Sequence, residues 1–195
     1  MPNLEPIEND EKLIVLAEHY KTSVDTIKQD IKSRDKYFFV FIIFILILFV
    51  KVADYNLFEI IIIKVLDIKD TSIPSHNFSS LALWFLSLLC FIKYTQFHSS
   101  IERGYKYVKE LEGELNANYH GHIFKKESDF YKKKQSHISK TNKIIIKYIT
   151  PLFFTLVILN NLLIIFNSDT SIENTFESII CLILLHHIIF FAKES

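Results

Sequence analysis

The residues with the most chemical capacity are polar side chains within or at the ends of long apolar runs. They are Asn160, Asn161, Glu177, His186 and His187. An amide or ionisable group in hydrocarbon needs a polar partner, because no water is present there to bond it. We therefore expect the asparagines either to hold helices together or to line a pore. The histidines suit a conduction path or the membrane interface, and the glutamate suits a cation-attracting mouth or a helix start.

A second group combines positive charge with aromatic rings between residues 97 and 143. Lysines interleaved with aromatic side chains bind single-stranded nucleic acid through phosphate contacts and base stacking. The same composition suits an anionic lipid surface, or simply sets the orientation of a membrane protein. The candidate ligand-binding residues are Arg103, Tyr107, Phe124, Lys125, Lys126, Tyr131, Lys132, Lys133 and Lys134.

The sequence contains no constellation typical of an enzyme. It has no nucleophile elbow, no zinc-protease helix and no paired intramembrane aspartates. Its three glycines do not form a phosphate-binding loop, and Cys90 and Cys181 lie in apolar runs without disulfide or metal spacing. His120 and His122 lack a third metal ligand. We expect no catalytic site, no metal site and no cofactor.

Four long apolar runs must position the polar residues. Runs of about 17 to 23 apolar residues match the hydrocarbon core of a bilayer, where a helix satisfies its own backbone. The predicted transmembrane helices are 37–53, 81–94, 144–166 and 176–192. Lys51 lies near the outer end of the first, and we expect its ammonium to extend to the interface. Pro151 is expected to kink the third.

The segment 57–68 follows the first span and is interrupted by Glu59, Lys64 and Asp67. It is therefore expected to lie as an amphipathic segment on the outer surface. The predicted fold is an all-α membrane protein with about four transmembrane helices and a helical cytoplasmic insertion between the second and the third.

Lysine and arginine are concentrated before the first span and between the second and third, whereas the other two connections contain few. By the positive-inside rule, both termini and the insertion face the cytoplasm, and the protein lies in the cell inner membrane. The predicted divisions are an amphipathic arm at 1–36, spans one and two at 37–96, the insertion at 97–143, and spans three and four with a short tail at 144–195.

Two of the segments assigned to the cytoplasm carry apolar residues spaced by three and four. These seams consist of Leu13, Ala17, Tyr20, Val24, Ile27 and Ile31, and of Ile101, Gly104, Val108, Leu111 and Leu115. Such seams suit helices that pack within one chain or against symmetry-related copies. The arm also has a helix-turn-helix cadence over 16–32, but it lacks a third packing helix and a turn glycine. We expect two helical segments there, with Thr22 or Ser23 capping the second.

The segment SSIERGYKYVKELEGELN at 99–116, the segment HIFKKESDFY at 122–131, and Tyr148 with Pro151 carry a family resemblance. Together with the approach to span one at 18–39, they resemble small bacterial multi-span membrane proteins with an IERxYKYxxxLExE-like segment. That group usually has an REGxxY-like motif, which is replaced here at Lys126, Glu127 and Ser128. The architecture resembles the channel-forming membrane effector of Hailong antiphage systems, and less closely the membrane component of Kiwa.

The resemblance implies an oligomeric membrane effector of antiphage defence, either an ion channel or a depolarising pore. Several copies, with four as the working number, would surround the pore. An anionic ligand such as a DNA oligomer or a nucleotide would gate it at the insertion. The alternative is a non-conducting membrane anchor or sensor that docks a soluble partner encoded nearby. A small-solute transporter is a third hypothesis, weakened by the short chain and the lack of an inverted repeat. Membrane lipid is a partner in all three.

Overall fold

The computed structural model describes residues 9–66, 76–118, 148–168 and 171–194. The regular elements in this part of the chain are all helices. They are α1 (Asn9–Ala53), α2 (Tyr55–Leu66), α3 (His76–Asn118), α4 (Thr150–Asn167) and α5 (Ile172–Glu194).

Four of these helices are long and apolar enough to cross a membrane. The candidate spans lie in Glu11–Ala53, Ser79–Ala117, Thr150–Asn167 and Ile172–Lys193. The shortest has 18 residues, which corresponds to about 27 Å and therefore to the hydrocarbon thickness of a bilayer. The predicted all-α membrane fold with four spanning helices is confirmed.

The short separate helix of the fold is α2, which lies between the first two spans. Its 12 residues extend for about 18 Å, which is too short to cross a bilayer. The carboxylate of Asp54 accepts hydrogen bonds from the backbone N–H groups of Asn56 and Leu57 at 3.0 and 3.2 Å. This N-cap separates α2 from α1. Of the predicted amphipathic segment 57–68, residues 67 and 68 lie outside the described residues.

Between spans two and three, the described part of the chain contains no separate helix. The expected helical insertion instead begins inside α3, which continues to Asn118. The rest of the insertion, from 119 to 143, lies outside the described residues.

One local prediction is wrong. The helix α1 is unbroken from Asn9 to Ala53, so neither Thr22 nor Ser23 starts a second segment. The Thr26 hydroxyl donates to the Thr22 carbonyl oxygen at 2.9 Å, a back-bond that a helix accommodates without ending. Pro151 lies in the first turn of α4. Residues 144–147 of the predicted span lie outside the described residues, so the kink expected at Pro151 stays a prediction.

The described residues form two compact units, 9–34 with 96–118 and 35–66 with 76–95, 148–168 and 171–194. The first is called the arm unit below and the second the bundle unit.

The arm unit is built on the two predicted seams. Its core consists of Ile27, Ile101 and Val108, which are at most 5% exposed. The helices approach closely at Gly104, where a Cβ atom would lie 2.7 Å from Ile27 Cγ1. The seams therefore pack against each other within one chain, which was one of the two arrangements left open by their spacing.

The bundle unit has a core rich in aromatic rings. Phe41 packs edge-on against Phe154 with centroids 4.8 Å apart, and it also contacts Phe91 at 5.2 Å. Trp84 and Ile158 are fully buried in the same core. In a membrane, such interdigitation and polar contacts between helices must supply the stability that the hydrophobic effect supplies in water.

Candidate functional site

Each of the four spanning helices contributes one residue to a polar cluster inside the bundle unit. The polar cluster consists of Lys51 on α1, Ser80 on α3, Asn161 on α4 and Glu177 on α5. Lys51, Ser80 and Glu177 lie within about one and a half turns of a helix end, whereas Asn161 lies nearer the middle of α4. α1 ends and α3 begins at the connection 54–75, and α4 ends and α5 begins at the connection 168–171. The polar cluster lies towards this end of the four helices.

The ammonium group of Lys51 is the centre of the polar cluster. It donates to Ser80 Oγ at 2.5 Å and to Glu177 Oε1 at 2.9 Å, and it lies 3.5 Å from Asn161 Oδ1. An ammonium carries three protons, so three acceptor oxygens match its donor capacity. The arrangement is an ion pair completed by two neutral ligands.

The polar cluster is shielded from its surroundings. Ser80 and Asn161 are fully buried, the Glu177 side chain is 1% exposed, and the Lys51 side chain is 13% exposed. A single charge at such a position carries a large desolvation penalty, which an oppositely charged partner and well-placed hydrogen bonds offset. The two charges therefore depend on each other.

Asn161 bridges the two charges and connects them to Cys181. Its Nδ2 donates to Glu177 Oε1 at 2.8 Å and lies 3.6 Å from Cys181 Sγ. The charges determine the orientation of the amide, since its carbonyl faces the ammonium and its NH2 group faces the carboxylate. Cys181 follows Glu177 by four residues on α5 and is fully buried, so both occupy one face of that helix.

A further polar group lies on the same face of α3 as Ser80. Trp84 follows by one turn and is fully buried. Its indole nitrogen has no hydrogen-bond partner among the residues that the structure describes. Buried donors of this kind are uncommon.

The structure brings together two of the five predicted pore or gate residues, Asn161 and Glu177. The other three, Asn160, His186 and His187, are outside the polar cluster. Asn160 and His186 are exposed on the surface of the chain, and His187 is half-buried. The ring centroids of His186 and His187 are 6.0 Å apart. The His186 ring also stacks with the ring of Phe190, with centroids 6.4 Å apart. Adjacent helical residues diverge by about 100°, which explains why the two asparagines have different environments.

Sequence reasoning missed Lys51 and Ser80. We expected the Lys51 ammonium at the interface, but the structure turns it inward to Glu177. The sequence did contain a signal for the ion pair, since Lys51 and Glu177 lie at the outer ends of two predicted spans. Opposite charges at the same depth in a helical bundle tend to pair. Nothing in the sequence around Ser80 distinguishes it from other serines.

Of the predicted ligand-binding residues, the structure describes Arg103 and Tyr107. Both are exposed on α3, and Tyr107 borders a shallow groove with Thr22, Asp30 and Ser100. The hydroxyl of Ser100 donates to Asp30 Oδ2 at 2.7 Å. The remaining candidates, Phe124, Lys125, Lys126, Tyr131, Lys132, Lys133 and Lys134, lie outside the described residues.

In the arm unit, His98 is a partly buried ionisable residue and Glu112 a fully buried one. The pKa of His98 is lowered, chiefly by burial and also by the nearby Arg34, while Glu102 opposes the shift. Its Nε2 lies 3.7 Å from Glu102 Oε1. Glu112 is 3% exposed and accepts a long hydrogen bond from the Tyr20 hydroxyl at 3.4 Å. Burial and Arg34 therefore favour the neutral form of the His98 imidazole.

Within the described residues there is no group of three or more His, Cys, Asp or Glu that could hold a metal ion. Comparison of the chain with known protein families, curated proteins and solved structures finds no match. Functional inference therefore rests on the residues of the chain itself.

Proposed function

We propose that the chain is one subunit of a homo-oligomeric membrane effector that conducts ions when opened. The observation that carries the proposal is the exposed amide of Asn160. It lies near the middle of α4, an 18-residue span, and is therefore at the depth of the hydrocarbon. An amide facing lipid tails is costly, so a second copy or the water of a pore is the favourable neighbour.

The exposed imidazole of His186 supports the same proposal from a second helix. Intramembrane ionisable groups usually face a bundle interior or a water-filled cavity. His186 on α5 and Asn160 on α4 thus both expose a polar group on the surface of the bundle unit. Four copies remain the working number for the assembly.

In this proposal, both termini and the insertion face the cytoplasm of the inner membrane, as the distribution of lysine and arginine favours. An anionic ligand, such as a DNA oligomer or a nucleotide, binds the insertion and opens the pore. The exposure of Arg103 and Tyr107 supports this role, since a guanidinium binds phosphate and a phenol ring stacks on a base. The link to antiphage defence rests on the resemblance alone.

Planar-bilayer recording of purified protein tests the proposal. We expect ion conductance that increases when short single-stranded DNA or a nucleotide is added on the insertion side. Native mass spectrometry in detergent should show an oligomer, and Asn160→Leu should reduce both the oligomer and the conductance. Leu182→Ala, at an exposed apolar position on α5, is a control for substitution on the surface of the bundle unit. A monomeric wild-type protein without conductance would overturn the proposal.

A non-conducting anchor or sensor is the second candidate function. It is favoured by the placement of Asn161 and Glu177 in the interior of a single chain, where they hold helices together. Here the insertion docks a soluble partner. Co-purification of a neighbouring gene product with the full chain, and its loss on deletion of residues 97–143, would support this candidate over the channel.

A further inference from the structure

Three oxygen atoms from three helices converge on one positive charge in the polar cluster. They are a hydroxyl oxygen of Ser80, the amide oxygen of Asn161 and a carboxylate oxygen of Glu177, at 2.5, 3.5 and 2.9 Å from Lys51 Nζ. Hydroxyl, carbonyl and carboxylate oxygens are the ligands that hard cations prefer. The ammonium of Lys51 thus occupies the position that a bound metal cation would take.

We propose that Ser80, Asn161 and Glu177 form a binding site for a monovalent cation, and that the Lys51 ammonium occupies this site as a tethered competitor. The proposal is independent of the proposed function, because it concerns one chain and holds whether or not an oligomer conducts.

The charge of the site selects a monovalent ion. Glu177 is the only charged residue among the three ligands, so one positive charge neutralises the site. A divalent ion would leave an uncompensated charge in a medium of low dielectric constant. Within the described residues no cluster of acidic or histidine ligands is present that could offset it.

Lys51 is placed so that it can leave the site, whereas Glu177 is not. Lys51 is two residues from the end of α1, and its side chain is more exposed than that of Glu177, at 13% against 1%. A lysine near a helix end can extend its flexible stem to the interface. When the ammonium moves outward, the carboxylate remains buried and a free cation from the adjacent solvent takes its place.

Removing the tethered charge should reveal the ion site. We expect purified Lys51→Ala to bind about one radioactive sodium or rubidium ion per chain. The wild-type protein should bind at least tenfold more weakly, because its site is open for only a small fraction of the time. A Lys51→Ala, Glu177→Gln double variant should bind as weakly as the wild type, since its ligands carry no charge.

Thermal melting in detergent gives a second measurement. The melting temperature of Lys51→Ala should rise by about 4 °C when choline chloride is replaced by sodium or potassium chloride at ten times the dissociation constant. The wild type and the double variant should not respond. The absence of both ion binding and a salt-specific shift in Lys51→Ala would overturn the proposal.

Lys51→Ser is a second variant that vacates the site and leaves a small polar side chain at position 51. It should behave as Lys51→Ala does. If neither variant yields folded protein in sodium, potassium or choline chloride, the proposal also fails, because a free cation should then have carried the charge that Lys51 carried.

Discussion

Lys51 and Glu177 share one hydrogen-bonded centre although 126 positions separate them in the chain. Neither is favourable there alone, because a buried charge without its partner retains the full desolvation penalty. Asn161 and Ser80 supply the other acceptors that the ammonium needs. At the scale of residues, the bundle unit therefore depends on a matched set rather than on single contacts.

A double-mutant cycle at Lys51 and Glu177 measures this dependence. In choline chloride, we expect Lys51→Met to lower the free energy of unfolding by about 3 kcal/mol, because Glu177 remains buried without its partner. Glu177→Gln should cost less, because the Lys51 ammonium can extend to the interface. The combination of Lys51→Met with Glu177→Gln should cost less than the sum, since no charge is left buried. Unfolding in mixed micelles provides the measurement, and Lys193→Met, at an exposed position, is the control. Additive losses would contradict a coupled pair.

His98 provides a pH-dependent prediction. Burial and Arg34 lower its pKa below the usual 6.5, so the unfolded chain binds a proton at a higher pH than the folded chain does. The contribution of His98 to stability is therefore complete above about pH 6.5 and decreases as the pH falls towards the folded-state pKa. NMR titration should give an imidazole pKa below 6.5, and His98→Gln should weaken the loss of stability between pH 7 and 5. A folded-state pKa above 6.5 would contradict this prediction.

At the scale of elements, the arm unit depends on close approach of two helices at Gly104. Gly104 needs to be small only because the two seams pack against each other, as the structure shows. Ile27 is 5% exposed, so its side chain has little room to move away from an added methyl group.

Two glycines on α3 therefore respond differently to the same substitution. Gly104→Ala should destabilise the arm unit by about 1–3 kcal/mol, because its Cβ would overlap Ile27. Gly113→Ala should stabilise α3 by about 0.5–1 kcal/mol, since its Cβ meets no atom within 4 Å and alanine favours a helix. Hydrogen exchange of the amides from 97 to 118 measures both. Equal effects at the two positions would show that the seam does not pack as described.

At the scale of the whole molecule, the proposed topology of four spanning helices has both termini on one side of a membrane. The lysine-rich segments favour the cytoplasmic side. A fluorescent protein fused after Ser195 should therefore be active, and alkaline phosphatase at the same position should be inactive. Phosphatase inserted between 168 and 171 should be active, because the proposed orientation has that connection on the opposite side. The reverse pattern would contradict the proposed orientation.

The sequence by itself determined the helical membrane fold, because apolar runs of sufficient length have one way to satisfy their backbone in hydrocarbon. It also determined the two seams, since a spacing of three and four defines one face of a helix. The short helix α2 was recognisable as a segment that does not cross, because charged residues interrupt it.

Only the tertiary structure decided which faces meet. It turned Lys51 inward rather than to the interface, and it separated Asn160 from Asn161 by placing one outside and the other inside the bundle unit. It also selected Ser80 as a ligand. These outcomes depend on the rotation of each helix about its axis, which is set by packing against three other helices distant in sequence and not by any local pattern.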